Sequence, residues 1–343
     1  MAKPTANDAR HESARPPRSR LAGISRLAFG GAPIGNLYQS VGDDAASTAI
    51  QQAWRQGIRH FDTAPYYGYG LSESRLGSAL AALPRDSYTL STKTGRLIEP
   101  ANGRIDHADG FVVDGRQAVF DYSRDGILRS VEASLRRLRT EHIDVLLLHD
   151  IGALTHGADH PRILRQALDE ALPAMADLRS QGICAAIGLG VNEEEVCLQV
   201  MPLFDLDVIM LAGRYTLFEQ HDSQRVMAQA IERGIAILAA GPYNSGLLSG
   251  ADRPGATYNY APADPATQAR AQRFYDICAQ CNTDVGAAAI QFPLAHPAVA
   301  SVVCGMRSTE EVSSAVSRLE AQVPAQAWAR LREAGLLDGA MSP

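Results

Sequence analysis

The sequence predicts an α/β fold, a single (β/α)8 barrel of the TIM type, and two observations carry that expectation. From Leu27 onward, short apolar runs ending in Gly, Asp, Pro or Lys alternate with longer stretches of helical period. Eight such strand-helix units fit the span, whereas a doubly wound sheet closes after about five or six.

Residues 1–20 are rich in Arg, Pro, Ala and Ser and nearly devoid of large apolar side chains, so they bury too little to offset the entropy of ordering. They are expected to form a disordered tail ahead of a barrel spanning 21–343. An Arg-rich start also fits a transit peptide, but no amphipathic repeat accompanies it. The first strand, 26–30, runs into Gly30-Gly31, which has neither Rossmann nor Walker spacing and reads as a tight turn. A helix over 44–56 leads to a strand at 57–63, and a helix over 72–82 to a strand at 88–94.

The segment 96–122 is longer than a connection requires, as is 247–262 further on. Both leave the C-terminal ends of strands, where barrel sites form, and both are expected to recognise substrate. The helix over 123–139 shows how one unit is built. Ser123 can cap its start, and Ile127, Val131, Leu135 and Leu138 recur at three- and four-residue spacing. Arg136, Arg137 and Arg139 fall at its C-terminal end, where the helix dipole favours cations. Strands then follow at 143–149, 185–191, 207–212, 235–241 and 300–304. Helices are expected over 161–181, 193–201, 223–233, 264–280 and 308–319.

Composition narrows the function. A hydrophobic content of 46% with 20% charge is that of a soluble globular chain, and a net charge of -6 leaves no basic excess for nucleic acid. No apolar stretch approaches the roughly 18 residues that cross a bilayer, and the N-terminus lacks a secretory block, so a cytoplasmic location is expected. Five scattered cysteines do not form a disulfide framework and are expected as reduced thiols. Cys278 and Cys281 have redox-pair spacing but fall late in a helix, and read as two buried thiols. His142, His156, His160 and His296 show no metal-ligand spacing, so no metal is expected.

Four residues carry the chemistry. Asp62, Lys93 and His149 end the second, third and fourth strands, and Tyr67 follows Asp62 by five positions. Singly, each has a structural reading: a turn cap, a half-buried aromatic, a solvated lysine, a packed histidine. Together they converge on one barrel rim, a poor place for an unpaired charge. A tyrosine near pKa 10 exchanges protons poorly at neutral pH unless a cation stabilises its anion. Lys93 can supply that cation, Asp62 can hold the ammonium, and His149 can donate a hydrogen bond to a substrate oxygen.

The segment Phe61-Asp62-Thr63-Ala64-Pro65-Tyr66-Tyr67-Gly68 resembles the signature of the aldo-keto reductase superfamily, and Ser91-Thr92-Lys93 and Leu147-Leu148-His149 fit it too. The similarity continues through Gly188–Asn192, Gly241–Leu248 and Cys304–Ser308, and so covers nearly all of 27–319. The resemblance implies that Asp62, Tyr67, Lys93 and His149 are a catalytic tetrad with Tyr67 as general acid or base. It implies a nicotinamide cofactor held by Asn192 at the carboxamide, with the turn at Gly31 close by. Gly246 and Leu248 would lie along the pyrophosphate, Gly241 and Pro242 would also contact the cofactor, and Gly305, Arg307, Ser308 and Glu311 would surround the adenosine end. Val191, Ala212 and Ala240 depart from the residues the family commonly places about the nicotinamide.

Gly213–Leu217 and Gly241–Ser245 look more like the bacterial branch of D-threo-aldose 1-dehydrogenases, L-fucose dehydrogenases and pyridoxal 4-dehydrogenases. That likeness implies oxidation of an aldose at its anomeric carbon to a lactone, with Tyr67 accepting the proton. Pyridoxal oxidation to 4-pyridoxolactone and NADPH-dependent aldehyde or ketone reduction are the alternatives within the enzyme class. A cofactor-sensing regulatory subunit is the alternative outside it. Arg307 suits a 2′-phosphate, but Glu311 would repel one, so NAD is expected as the preferred cofactor with NADP admissible. Tyr38, Tyr66, Tyr258 and Tyr260 either stack on substrate or pack the loops.

Overall fold

The computed structural model describes residues 20–101, 109–250, 257–259 and 261–338. Eight parallel strands close into a barrel: Leu27–Gly30, His60–Asp62, Thr89–Thr94, Ile143–His149, Cys184–Val191, Val208–Ala212, Ala236–Ala240 and Val299–Gly305. Each pairs with its neighbours in chain order, and the last closes on the first with Val302 opposite Leu27 and Gly305 opposite Gly30. All eight expected strands are present. The second is the one shortened most, because Gly57, at φ 90°, ends the preceding helix and the chain turns before His60.

Small and branched side chains fill the barrel interior, among them Ala28, Val145, Leu147, Val208, Leu238 and Val303. Gly188 lets two strands approach: a Cβ there would fall 1.6 Å from the Val208 carbonyl oxygen. Helix Arg124–Leu138 forms as its pattern predicts. Ser123 caps it by accepting from the Gly126 amide at 3.0 Å, and Ile127, Val131 and Leu138 are buried.

The expected helix 161–181 is interrupted by a wider turn over Ala167–Ala171, between His160–Gln166 and Leu172–Ser180. Besides the single turn Ala153–His156, two longer helices among the described residues escaped the periodicity. Val285–Leu294 packs apolar residues on every side, so it carries no amphipathic stripe, and it joins Pro265–Gln280 between the seventh and eighth strands. Ala325–Glu333 packs Trp328 and Leu331 into the core beyond the last barrel unit. The segment 96–122 contains an antiparallel hairpin, Arg96–Pro100 with Arg116–Phe120. The tail expected over 1–20 lies, up to residue 19, outside the described residues; Arg20 itself ion-pairs with Asp207 at 2.5 Å.

Candidate active site

The strand ends bring the four expected residues together. Lys93, itself 2% exposed, sets Nζ 2.8 Å from Asp62 Oδ2, 3.1 Å from Oδ1 and 2.9 Å from the Thr63 carbonyl oxygen. That ammonium lies 4.5 Å from the centre of the Tyr67 ring. Tyr67 arrives on the loop after the second strand, which fits tightly against the turn Pro33–Gly35 that follows the first. A Cβ on Gly68, at φ 62°, would fall 2.3 Å from the Gly35 carbonyl oxygen. Glycine at this contact therefore fixes where Tyr67 stands.

Electrostatics follow from burial. Desolvation alone would lower the Lys93 ammonium, but the Asp62 and Tyr67 charges outweigh it and hold the group above the usual lysine range. Burial pushes the Tyr67 phenol above its usual range; Lys93 pulls it back without cancelling the rise. The cation thus acts in the expected direction but does not by itself yield a low tyrosine pKa. His149 meets Tyr67 edge to face with ring centres 6.1 Å apart. Burial, reinforced by Arg96 and Lys93, drives its imidazole well below the usual range, so the ring is neutral.

Sequence reasoning missed the partners of His149. Asp150 Oδ2 lies 3.4 Å from His149 Nε2 and 2.5 Å from Arg96 Nη2. The Arg96 guanidinium is held between the rings of Tyr66, at 3.8 Å, and Phe120, at 4.7 Å. His149 Nδ1 is buried with no hydrogen-bond partner among the described residues. The ring hydrogen therefore belongs on Nε2, where a carboxylate faces it, rather than on the nitrogen that has no acceptor. Asp150 follows His149 directly and Arg96 follows the third strand, so the strand-end rule that picked out the tetrad also reaches both. Phe111, stacked on Tyr67 with ring centres 6.0 Å apart, comes from the long segment and had no such signal.

A cavity of about 670 Å3 opens on these residues, within the range of about 300–1,000 Å3 typical of small-molecule sites. Asp62, Tyr67, Lys93, His149 and Asp150 line it, as do Asn192, Gly241, Pro242, Gly246, Gly305, Arg307 and Glu311 of the expected cofactor set. The other three expected cofactor residues stand back from its lining. Gly31 packs against Asp62 and Ser72, where a Cβ would meet each at 2.7 Å. Leu248 is fully buried in the core, and Ser308 caps helix Thr309–Glu320 by accepting from the Glu311 amide. Glu311 accepts from the Arg307 amide at 2.8 Å and pairs with its Nε at 3.1 Å. Tyr38 and Asn259 also line the cavity; Tyr258 instead hydrogen-bonds Glu219, and Tyr260 lies outside the described residues.

The donor set fits a dinucleotide. An amide side chain, Asn192, stands near the tetrad. The turn at Gly241 to Gly246 holds several residues at positive φ, a backbone form that can gather N–H groups toward an anion. Arg307 and Arg318 bring cations to the same cavity.

Residues 26–335 match the aldo/keto reductase family model. The chain belongs to that family. This aldo/keto reductase is 37% identical to pyridoxal 4-dehydrogenase of Microbacterium luteolum over 92% of the chain and 95% of the relative. It is equally 37% identical to D-threo-aldose 1-dehydrogenase of a Pseudomonas species, over 95% of the chain and 99% of the relative. Among solved structures, the aldo-keto reductase of Bacillus halodurans in its holo form superimposes with a TM-score of 0.71. That match covers 93% of this chain and 94% of the other at 24% identity, and supports the barrel fold. The family makes the protein an oxidoreductase.

Proposed function

We propose that this enzyme oxidises the anomeric carbon of an aldose of the L-fucose or D-threo-aldose type to a lactone, with NAD as the preferred cofactor. The observation that carries the reading is the packing of Lys93, Asp62, Tyr67 and His149 at one end of a single cavity. The relative named for D-threo-aldose supports the substrate class.

Each residue has a task. Tyr67 takes the proton of the anomeric hydroxyl, and the Lys93 charge stabilises the tyrosinate that forms. Asp62 anchors Lys93. His149, neutral and protonated on Nε2, turns that one hydrogen from Asp150 to the same substrate oxygen when substrate binds, and so fixes its orientation. Asn192 would hold the nicotinamide amide, and Arg307 with the turn through Gly246 would hold the phosphates and adenosine. Bound nicotinamide supplies the hydride acceptor. Glu311 lines the cavity and already engages Arg307, which disfavours a 2′-phosphate there.

The pyridoxal relative, matched at the same identity, supports a second reading in which pyridoxal hemiacetal occupies the same cavity. Initial rates with L-fucose, D-arabinose and pyridoxal, each with NAD and NADP, separate the two. Faster NADH formation with an aldose is expected. No NADH from any of the three, together with rapid NADPH-driven aldehyde reduction, overturns the dehydrogenase reading.

A further inference from the structure

A fully buried histidine that no step above uses lies directly behind the Asp62 carboxylate. His60 Nδ1 is 2.9 Å from Thr89 Oγ1, and its Nε2 is 3.1 Å from Ser91 Oγ. Ser91 Oγ in turn stands 2.7 Å from Asp62 Oδ1. His60 and Ser91 are both 0% exposed, so these contacts have no competition from solvent.

Counting hydrogens fixes the direction of every bond in this row. Burial pushes the Asp62 carboxyl up, while the Lys93 ammonium and the Ser91 hydroxyl pull it back; with that ammonium 2.8 Å and 3.1 Å from its two oxygens, Asp62 is taken as the carboxylate of an ion pair and only accepts. Ser91 has one hydroxyl hydrogen and must give it to Asp62. The remaining contact of Ser91 is then as acceptor, and its donor is His60 Nε2–H. His60 lies under the Lys93 charge in a desolvated site, and its pKa is pushed down to about 3, so it has a single ring hydrogen. Its Nδ1 is therefore bare and accepts from the Thr89 hydroxyl. The Arg59 carbonyl, also near that hydroxyl, is already served by the Thr89 amide at 2.7 Å.

We infer that Ser91 and His60 are positioning residues: a one-way row of hydrogen bonds, Thr89 to His60 to Ser91 to Asp62, holds the Asp62 carboxylate ionised and oriented beneath Lys93. The inference rests on the proposed role of Lys93 beside Tyr67. Its physical basis is that each donor in the row polarises the next, so the last one is strengthened where the negative charge sits. No proton travels along the row; it fixes a rotamer and a charge.

Nitrogen-15 spectra of the imidazoles in the full-length protein test the arrangement without any substrate. The His60 resonance, identified by its loss in His60→Gln, should show hydrogen on Nε2 and a bare Nδ1. The Nδ1–H form would overturn the row. Kinetics test the role. Ser91→Ala and His60→Leu should each lower kcat roughly tenfold, the scale of one hydrogen bond to a charged group, with KM for the nucleotide unchanged. His60→Gln, whose amide can donate to Ser91 and accept from Thr89, should recover most of the rate. Wild-type kcat in folded Ser91→Ala would reduce the row to packing. If His60→Leu fails to fold, the spectra and Ser91→Ala decide. Full turnover in Tyr67→Phe would instead remove the tetrad reading while leaving the Nε2–H result intact.

Discussion

Asp150 and His149 are consecutive residues whose side chains face each other, with Oδ2 3.4 Å from Nε2, because the Asp150 backbone turns into the left-handed region at φ 48°. A non-glycine residue held there is uncommon, and asparagine tolerates it well. Asp150→Asn should therefore keep the backbone while removing the partner of Arg96, which is 6% exposed. A buried guanidinium left without its carboxylate costs about 3 kcal/mol. Chemical denaturation should show that loss, and Arg96→Met added to Asp150→Asn should restore part of it. Purely additive losses would mean that the two groups are not coupled.

Tyr67→Phe removes the proposed proton acceptor and little else, since the ring still packs on Phe111. Turnover should fall by roughly 10²–10⁴, the usual weight of a positioned acid or base. Nucleotide affinity, followed by fluorescence titration, should stay near wild type. A variant that still turns over at more than a tenth of the wild-type rate would point to a different proton carrier.

How much of this was legible beforehand depends on what each residue announces. Asp62, Lys93 and His149 end apolar runs, so the barrel rule alone placed them on one rim. Glu311 was read only as a charge that would repel a 2′-phosphate; its pairing with Arg307, which precedes the Ser308 cap of the last barrel helix, was not read from the sequence. Leu248 shows the limit: a motif match placed it along the cofactor, while its apolar side chain turned to the core, which local sequence does not encode. Helix Val285–Leu294 stayed hidden because burial on all sides erases the period that marks a helix. His60 was read as part of a strand, and its contacts to Thr89 and Ser91 depend on the register between the second and third strands.

Glu311 sets up a test of cofactor choice. Its carboxylate lies at the cavity and bonds both the Arg307 amide and guanidinium. Glu311→Gln removes one negative charge and loosens Arg307 toward a phosphate. The ratio of kcat/KM for NADP to that for NAD should rise roughly tenfold, about 1.4 kcal/mol. Steady-state kinetics with both nucleotides measure it, and an unchanged ratio would place the 2′ end of the cofactor elsewhere.

Acid should destabilise the barrel through its buried histidines, and the sign follows from proton counting. An unfolded histidine titrates near 6.5, whereas His60 in the fold titrates at about 3 and His149 well below 6.5. Between those values the unfolded chain binds protons that the native chain refuses, so stability falls as pH falls. Each such imidazole contributes a slope of about 1.4 kcal/mol per pH unit once the pH is well below 6.5. Above that pH neither contributes any slope. His60→Gln deletes one of these groups, so its unfolding free energy should fall less steeply between pH 6 and pH 4.5 than that of the wild type. Parallel slopes would mean that His60 is protonated in the fold. The row of donors behind Asp62 would then have to run in the opposite sense at Thr89, with His60 Nδ1 donating to its hydroxyl.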